Sequence, residues 1–260
     1  MHLEVITRRP TGESRPTPLL FVHGAWHAAW CWETHFLDYF ASHGYVAHAL
    51  SLRGHGASEG RDRLRWTRIS DYVADMAHVA AALPAAPIII GHSMGGFVVQ
   101  KYLETHRAPA GVLLASVPPA GALRATLRLA TRQPVAFAKA NLTLSLWPLV
   151  ATPALACEAF FSASMPDAQL RALASRLQDE SYRAFLDLLA LDLPHPDRVQ
   201  TPLLVLGGAD DAIFSPAEVA ATARAYRTEP VIFPGMAHDL MLEAGWEDVA
   251  DRIRAWLEAT

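Results

Sequence analysis

Cysteine is nearly absent from this chain of 260 residues: there are two, Cys31 and Cys157. Two thiols so far apart form neither a disulfide framework nor a zinc-ligand spacing, so a reducing compartment is the default expectation. No block of lysine or arginine stands out and the formal net charge is -4, which leaves nothing to draw the chain to nucleic acid or to anionic lipid. Met1-His2-Leu3-Glu4 lacks the basic and then apolar run of a secretory leader, and we expect a cytoplasmic protein. Long apolar runs are missing as well. The uncharged stretch between Lys139 and Glu158 is broken by Asn141, Thr143, Ser145, Pro148 and Pro153, so it suits a buried or covering segment better than a membrane span.

What is present is apolar residue in quantity, 52% of the chain, enough for one large domain or one domain carrying an insertion. Short β-rich runs alternate with helical patterns, which predicts an α/β fold with a mostly parallel sheet and helices on both faces. Strands are expected at Leu3–Thr7, Leu19–Val22, Val46–Leu50, Pro87–Ile90, Gly111–Ala115, Leu203–Leu206 and Pro230–Phe233. Helices are expected at Trp30–Ser42, Ile69–Leu83, Gly96–Thr105, Ala217–Tyr226 and Trp246–Ala259. From about Ala120 to Arg198 the rhythm stops, leaving helical spacing such as Leu170, Leu173, Leu177 with no strand signal. The expected organisation is therefore a core of residues 1–119 and 199–260 with a helical cap of 120–198, edged by Val117-Pro118-Pro119 and Pro194-His195-Pro196.

Chemistry enters at Gly91-His92-Ser93-Met94-Gly95, a G-x-S-x-G pattern directly after the apolar Ile88-Ile89-Ile90 and before a helical run. Glycine-rich turns between strand and helix are common, so the context carries more weight than the pattern. A serine on such a turn sits on a strained backbone, with its hydroxyl presented outward at a helix start whose free N–H groups favour an oxyanion. The backbone N–H of Met94 is the first such donor. His92, beside the serine, reads as a packing residue.

These residues resemble the α/β-hydrolase superfamily. Gly91–Gly96 looks like its nucleophile elbow, Phe21-Val22-His23-Gly24 like its oxyanion loop, and Leu52-Arg53-Gly54-His55-Gly56-Ala57-Ser58 like its R-G-x-G-x-S loop. The resemblance implies Ser93 as nucleophile and the N–H of Ala25 as the second oxyanion donor. It requires a late-loop histidine, which His238 in Pro234-Gly235-Met236-Ala237-His238 supplies, and a carboxylate between the two in chain order. No acid lies between Glu104 and Glu158, so the loop after Leu203–Leu206 must provide it. There Gly208-Ala209-Asp210-Asp211 resembles the family's acid loop. Counting from Gly208 selects Asp211, counting from Gly207 selects Asp210, and the spacing to Ser215-Pro216 favours Asp211, with the other aspartate left to cap the turn or the next helix.

What the resemblance implies is cleavage of carboxylic esters of small to medium apolar molecules through an acyl-enzyme, with no metal or organic cofactor. Leu142, Leu144, Leu146, Trp147, Leu149, Val150, Phe160 and Phe161 offer an apolar lining, or simply pack the cap on the core. Three other activities stay open: carbon–carbon bond hydrolysis, for which Arg124, Arg128 and Arg132 could clamp an anionic substrate; a hydroxynitrile-lyase-like reaction; and non-catalytic binding of a small molecule. Asp239 stands where plant hydroxynitrile lyases carry a lysine, which argues against the second. His23, His27, Cys31 and His35 recur every four residues, but His23 should end a strand, so the four would not share a helical face for a metal.

Overall fold

The computed structural model describes residues 1–260. Seven strands form one sheet in the order β1-β3-β2-β4-β5-β6-β7. They are β1 (Val5–Arg8), β2 (Leu19–Val22), β3 (Ala47–Leu50), β4 (Ile88–His92), β5 (Gly111–Leu114), β6 (Leu203–Gly208) and β7 (Pro230–Phe233). Only β1 runs antiparallel, against β3, and every other pairing is parallel. β2 through β6 are buried along their whole length, whereas the edge strands β1 and β7 are half-buried.

Burial on both faces is why these strands read as continuous apolar runs rather than as alternations. Successive side chains leave the sheet on opposite sides. Leu19, Phe21, Ile88, Ile90, Val112, Leu114, Leu204 and Leu206 join one hydrophobic cluster, while Leu20, Val22, Ile89, Leu113, Leu203 and Val205 join the other. The first is covered by α1 (Trp30–Glu33), α2 (Phe36–Ser42) and α11 (Trp246–Ala259), the second by α3 (Ile69–Ala82), α4 (Met94–Leu103) and α10 (Pro216–Ala225).

The single helix expected over Trp30–Ser42 is two. His35, at φ -143° and ψ -53°, interrupts it and starts α2, and its ring stacks on Trp246 at 4.5 Å between centroids and 3° between planes. Trp30, Cys31 and Trp32 are all buried within the short α1 itself. α4 also starts earlier than expected, at Met94, because β4 continues through Gly91 and His92 and Ser93 alone makes the turn.

Between β5 and β6 the chain contains no strand. It forms α5 (Leu123–Arg132), α6 (Pro134–Thr143), α7 (Pro153–Phe160), α8 (Asp167–Ala174) and α9 (Tyr182–Leu186), which leads into a π-turn at Asp187–Leu191. This segment is tied to the sheet's loops at several points. Asp239 N–H donates to Phe160 O (3.0 Å) and Gln178 N–H to Trp26 O (3.0 Å); Ile69 N–H donates to Asp187 Oδ2 (3.1 Å) and Ser162 N–H to Glu243 Oε1 (2.6 Å). No helix in the molecule is long and apolar enough to cross a membrane.

Candidate active site

Ser93 turns the chain from β4 into α4 with φ 52° and ψ -117°, a conformation L-residues rarely hold. Its N–H donates to Leu114 O (3.0 Å), and its carbonyl accepts from Phe97 N–H and Val117 N–H (3.2 Å each), so the strain is held from three sides. Close approach of the neighbouring loop depends on two glycines. A Cβ at Gly95 would strike the carbonyl oxygens of Val22 and His23, and one at Gly24 would lie 2.9 Å from Ser93 Cβ. The loop after β2 is thereby seated directly against the serine.

That loop is braced from behind. Burial, and next the neighbouring His55, hold the His23 imidazole well below its ordinary pKa. The neutral ring donates from Nδ1 to Gly24 O (2.8 Å) and accepts Leu52 N–H at Nε2 (3.0 Å). His55 packs on it at 4.9 Å between centroids and bonds the buried Glu180 carboxylate (3.0 Å), which also accepts from Tyr72 Oη (2.7 Å). The R-G-x-G-x-S loop thus acts here as a strut under the loop after β2.

His238 lies on the loop after β7 and its Nδ1–H donates to Asp211 Oδ2 at 2.8 Å. The other oxygen of Asp211 accepts Ile213 N–H (2.7 Å) and Phe214 N–H (2.9 Å), which fixes the carboxylate. Asp211 is buried and Asp210 is exposed, so the structure joins Asp211, not Asp210, to the histidine. Asp210 caps no helix either: Ser215 caps α10, in a capping box with Glu218. Burial alone would lower the pKa of His238, but the Asp211 charge and hydrogen bond, and then the Asp239 charge, outweigh it and raise it above the ordinary value. The ring lies beside the neighbour of Ser93, 4.8 Å from the His92 ring between centroids. The side-chain hydrogen bond of His238 is the one to Asp211, and none joins its Nε2 to Ser93 Oγ.

Behind the histidine is a second buried layer that sequence reasoning missed. His92, expected as packing, donates from Nε2 to His238 O (3.1 Å) and so holds the loop that carries His238; burial and the nearby His238 push its pKa down to about 3. Asp239 is wholly buried, with Oδ2 at 2.9 Å from His27 Nε2 and Oδ1 at 3.5 Å from His92 Nε2. His27 in turn donates from Nδ1 to Ala25 O (2.8 Å). The buried His27–Asp239 contact therefore links the loop after β2 to the loop that carries His238. Burial would raise the Asp239 carboxyl, yet His27, His92 and His238 hold it below its ordinary pKa. The partners are remote in sequence and nothing local marks them.

His92, His238 and Asp239 bring ligand-type atoms within 4.8 Å of one another. His238 Nδ1 and His92 Nε2 are committed to Asp211 Oδ2 and His238 O, and we assign no ion there. Of the histidines spaced by four, His23 spends its nitrogens on backbone and His35 lies flat on Trp246.

Ser93, Met94 and Ala25 open onto a cavity of about 120 Å³ whose 22 lining residues include 16 hydrophobic ones. Of the apolar residues expected to line it, Leu146, Leu149 and Val150 do. Leu142 is 86% exposed and Trp147 faces outward, because the exposed side of α6 and the turn after it carry them away from the sheet. Phe160 is buried against Trp26, His27 and His238. The three arginines make no clamp: Arg124 is exposed, Arg128 is bound to Glu218 (2.6 Å) and to Ile213 O, and Arg132 alone borders the cavity.

A family model described as the alpha/beta hydrolase family matches residues 19–252. Among characterised relatives, a non-heme chloroperoxidase of Streptomyces lividans is 37% identical over 110 residues, 39% of this chain and 37% of that protein. Methyl jasmonate esterase 1 of Vitis vinifera is 36% identical over 95 residues, 35% of each chain. The matched stretch thus spans little more than a third of these relatives' length. The solved structure of a thermophilic esterase from Thermogutta terrifontis superposes with a TM-score of 0.71 at 21% identity, over 99% of this chain and 93% of that one.

Proposed function

Because this chain belongs to the α/β-hydrolase family, we propose that it hydrolyses carboxylic esters of small to medium apolar substrates, with Ser93 as nucleophile, His238 as general base and Asp211 as its orienting acid. The observation that carries this reading is the Asp211–His238 hydrogen bond of 2.8 Å beside a strained serine that borders an apolar cavity. In the proposed reaction the Ser93 hydroxyl gives its proton to His238 Nε2 as its oxygen bonds to the ester carbonyl carbon. The carbonyl oxygen takes the electron pair and is met by the N–H groups of Ala25 and Met94, where each donor is worth about 3–4 kcal/mol to the transition state. Collapse breaks the bond to the alcohol, which leaves with the proton from His238. Water then repeats the sequence on the acyl-enzyme: its proton goes to His238, and the freed acid departs as the serine recovers its own. Asp211 keeps the ring in the tautomer with its lone pair on Nε2. The helices between β5 and β6 act, in this proposal, as a cap of residues 120–198 over the core of 1–119 and 199–260, and close the cavity.

The test is hydrolysis of a short p-nitrophenyl ester by the protein and by Ser93→Ala. Turnover lost in a variant with an unchanged melting temperature is the expected result, and equal rates would end the proposal.

A further inference from the structure

The wall of the cavity that the helical segment contributes holds an unused hydrogen-bond acceptor. Gln133 is the single residue between α5 and α6, with φ -127° and ψ 58°, outside either helix. Its backbone N–H closes α5 on Leu129 O (2.8 Å), and Pro134 at the first position of α6 keeps the chain from running on as one helix. The side chain is thereby directed inward: it is 8% exposed and borders the same cavity as Ser93.

Its amide has one sensible orientation. The Nε2 group donates to Glu158 Oε2 at 3.1 Å, and a flipped amide would set two acceptors against each other. Oε1 is then left buried with no partner. Native proteins seldom leave such an atom unpaired, because it loses water and gains nothing in return. Among the other polar groups at the cavity the carboxylates are already engaged, while Thr126 adds a hydroxyl that is in no side-chain hydrogen bond. Glu180 is saturated by His55, Tyr72 and Ser181 N–H, and Glu158 holds the Gln133 amide. With both carboxylates on the lining, Arg132 is the one cation there, so a neutral donor suits the position better than an anion.

We propose that Gln133 Oε1 is a substrate-reading site, and that the preferred esters carry a hydroxyl at the end of an otherwise apolar chain, which donates to this oxygen. The inference rests on the ester-hydrolase reading for its catalytic form, but the subsite itself is separable from turnover.

The experiment compares kcat/KM for p-nitrophenyl hexanoate with its ω-hydroxy and ω-carboxy analogues, and repeats the comparison with the hydroxyl on the alcohol side, using butyrate esters of hexanol and hexanediol. A neutral hydrogen bond predicts that the hydroxylated member of one pair is favoured about tenfold. In Gln133→Met, which keeps the volume and removes the acceptor, that ratio should fall to about one, and a ratio within one variant cancels any general loss of activity. Glu158→Gln gives a second variant, expected to reduce the ratio because the amide is no longer held in one orientation. Equal rates for both pairs, a preference that survives in Gln133→Met, or a preference for the ω-carboxy ester through Arg132 would overturn the proposal. If no ester is turned over, the hydrolase reading fails by itself. The subsite is then read by calorimetric binding of hexanol and hexanediol to Ser93→Ala, where equal affinities would overturn it.

Discussion

At the scale of single residues, the proposed reaction uses a neutral His238 as base, and its raised pKa sets where that form is lost. The acid limb of kcat/KM should lie above the ordinary histidine value of about 6.5, with activity falling as pH drops through it. Asp239→Asn removes one of the negative charges that favour the imidazolium. The acid limb should therefore move to lower pH, and at the same time kcat should drop as the link to His27 and the Ala25 carbonyl is weakened. A residue that served only packing would leave the limb in place, and a pH–rate profile of the variant distinguishes the two. Asp211→Asn should cost about 10⁴ in kcat, since the wrong ring tautomer is then held, whereas Asp210→Asn should stay near the parent rate. Comparing both variants on one substrate checks the assignment. The turn at Ser93 and the pairing of Asp211 with His238 were legible because each residue lies on a short loop whose flanking residues carry a pattern. The His27–Asp239 pair and the role of His92 were not, since burial and partnership across the whole chain define them.

At the scale of elements, the parallel strands were readable to within a residue or two, because two-sided burial leaves an apolar run that turn residues bound. The helix break at His35 was not, as it depends on a stack with Trp246 on α11. The elbow joins both kinds of information. Gly95 is a recognisable letter in a pattern, yet its role is to let α4 sit under the carbonyl oxygens of Val22 and His23 at the end of β2. Gly95→Ala should destabilise the protein by about 1–3 kcal/mol through overpacking, measured by urea unfolding, and should reduce kcat more than Gly12→Ala, where a Cβ meets nothing within 4 Å. An inactive but equally stable Gly95→Ala would show that the close approach matters to the site and not to the packing of α4.

At the scale of the molecule, the helical segment was legible as an interruption of the α/β rhythm, but its relation to the core was not. Ala140, Leu146, Leu149, Val150, Phe160, Leu170 and Leu173 belong to the same hydrophobic cluster as β2, β4, β5 and β6 residues. Hydrogen bonds from Phe160, Ser162, Gln178 and Asp187 pin it to the loops that carry the site. A separate lid would have its own core and a polar seam; here one apolar core is shared. Heat or urea should therefore unfold residues 120–198 and the sheet together, in one transition. Fluorescence from Trp147, with the other tryptophans replaced by phenylalanine, should follow the same midpoint as far-ultraviolet circular dichroism. We expect access to the cavity past α5, which Arg128 ties to Glu218 and Ile213 O. Arg128→Ala should alter KM while the melting temperature moves by only a few degrees, and an early, separate transition for Trp147 would show instead that the helices form an independent unit.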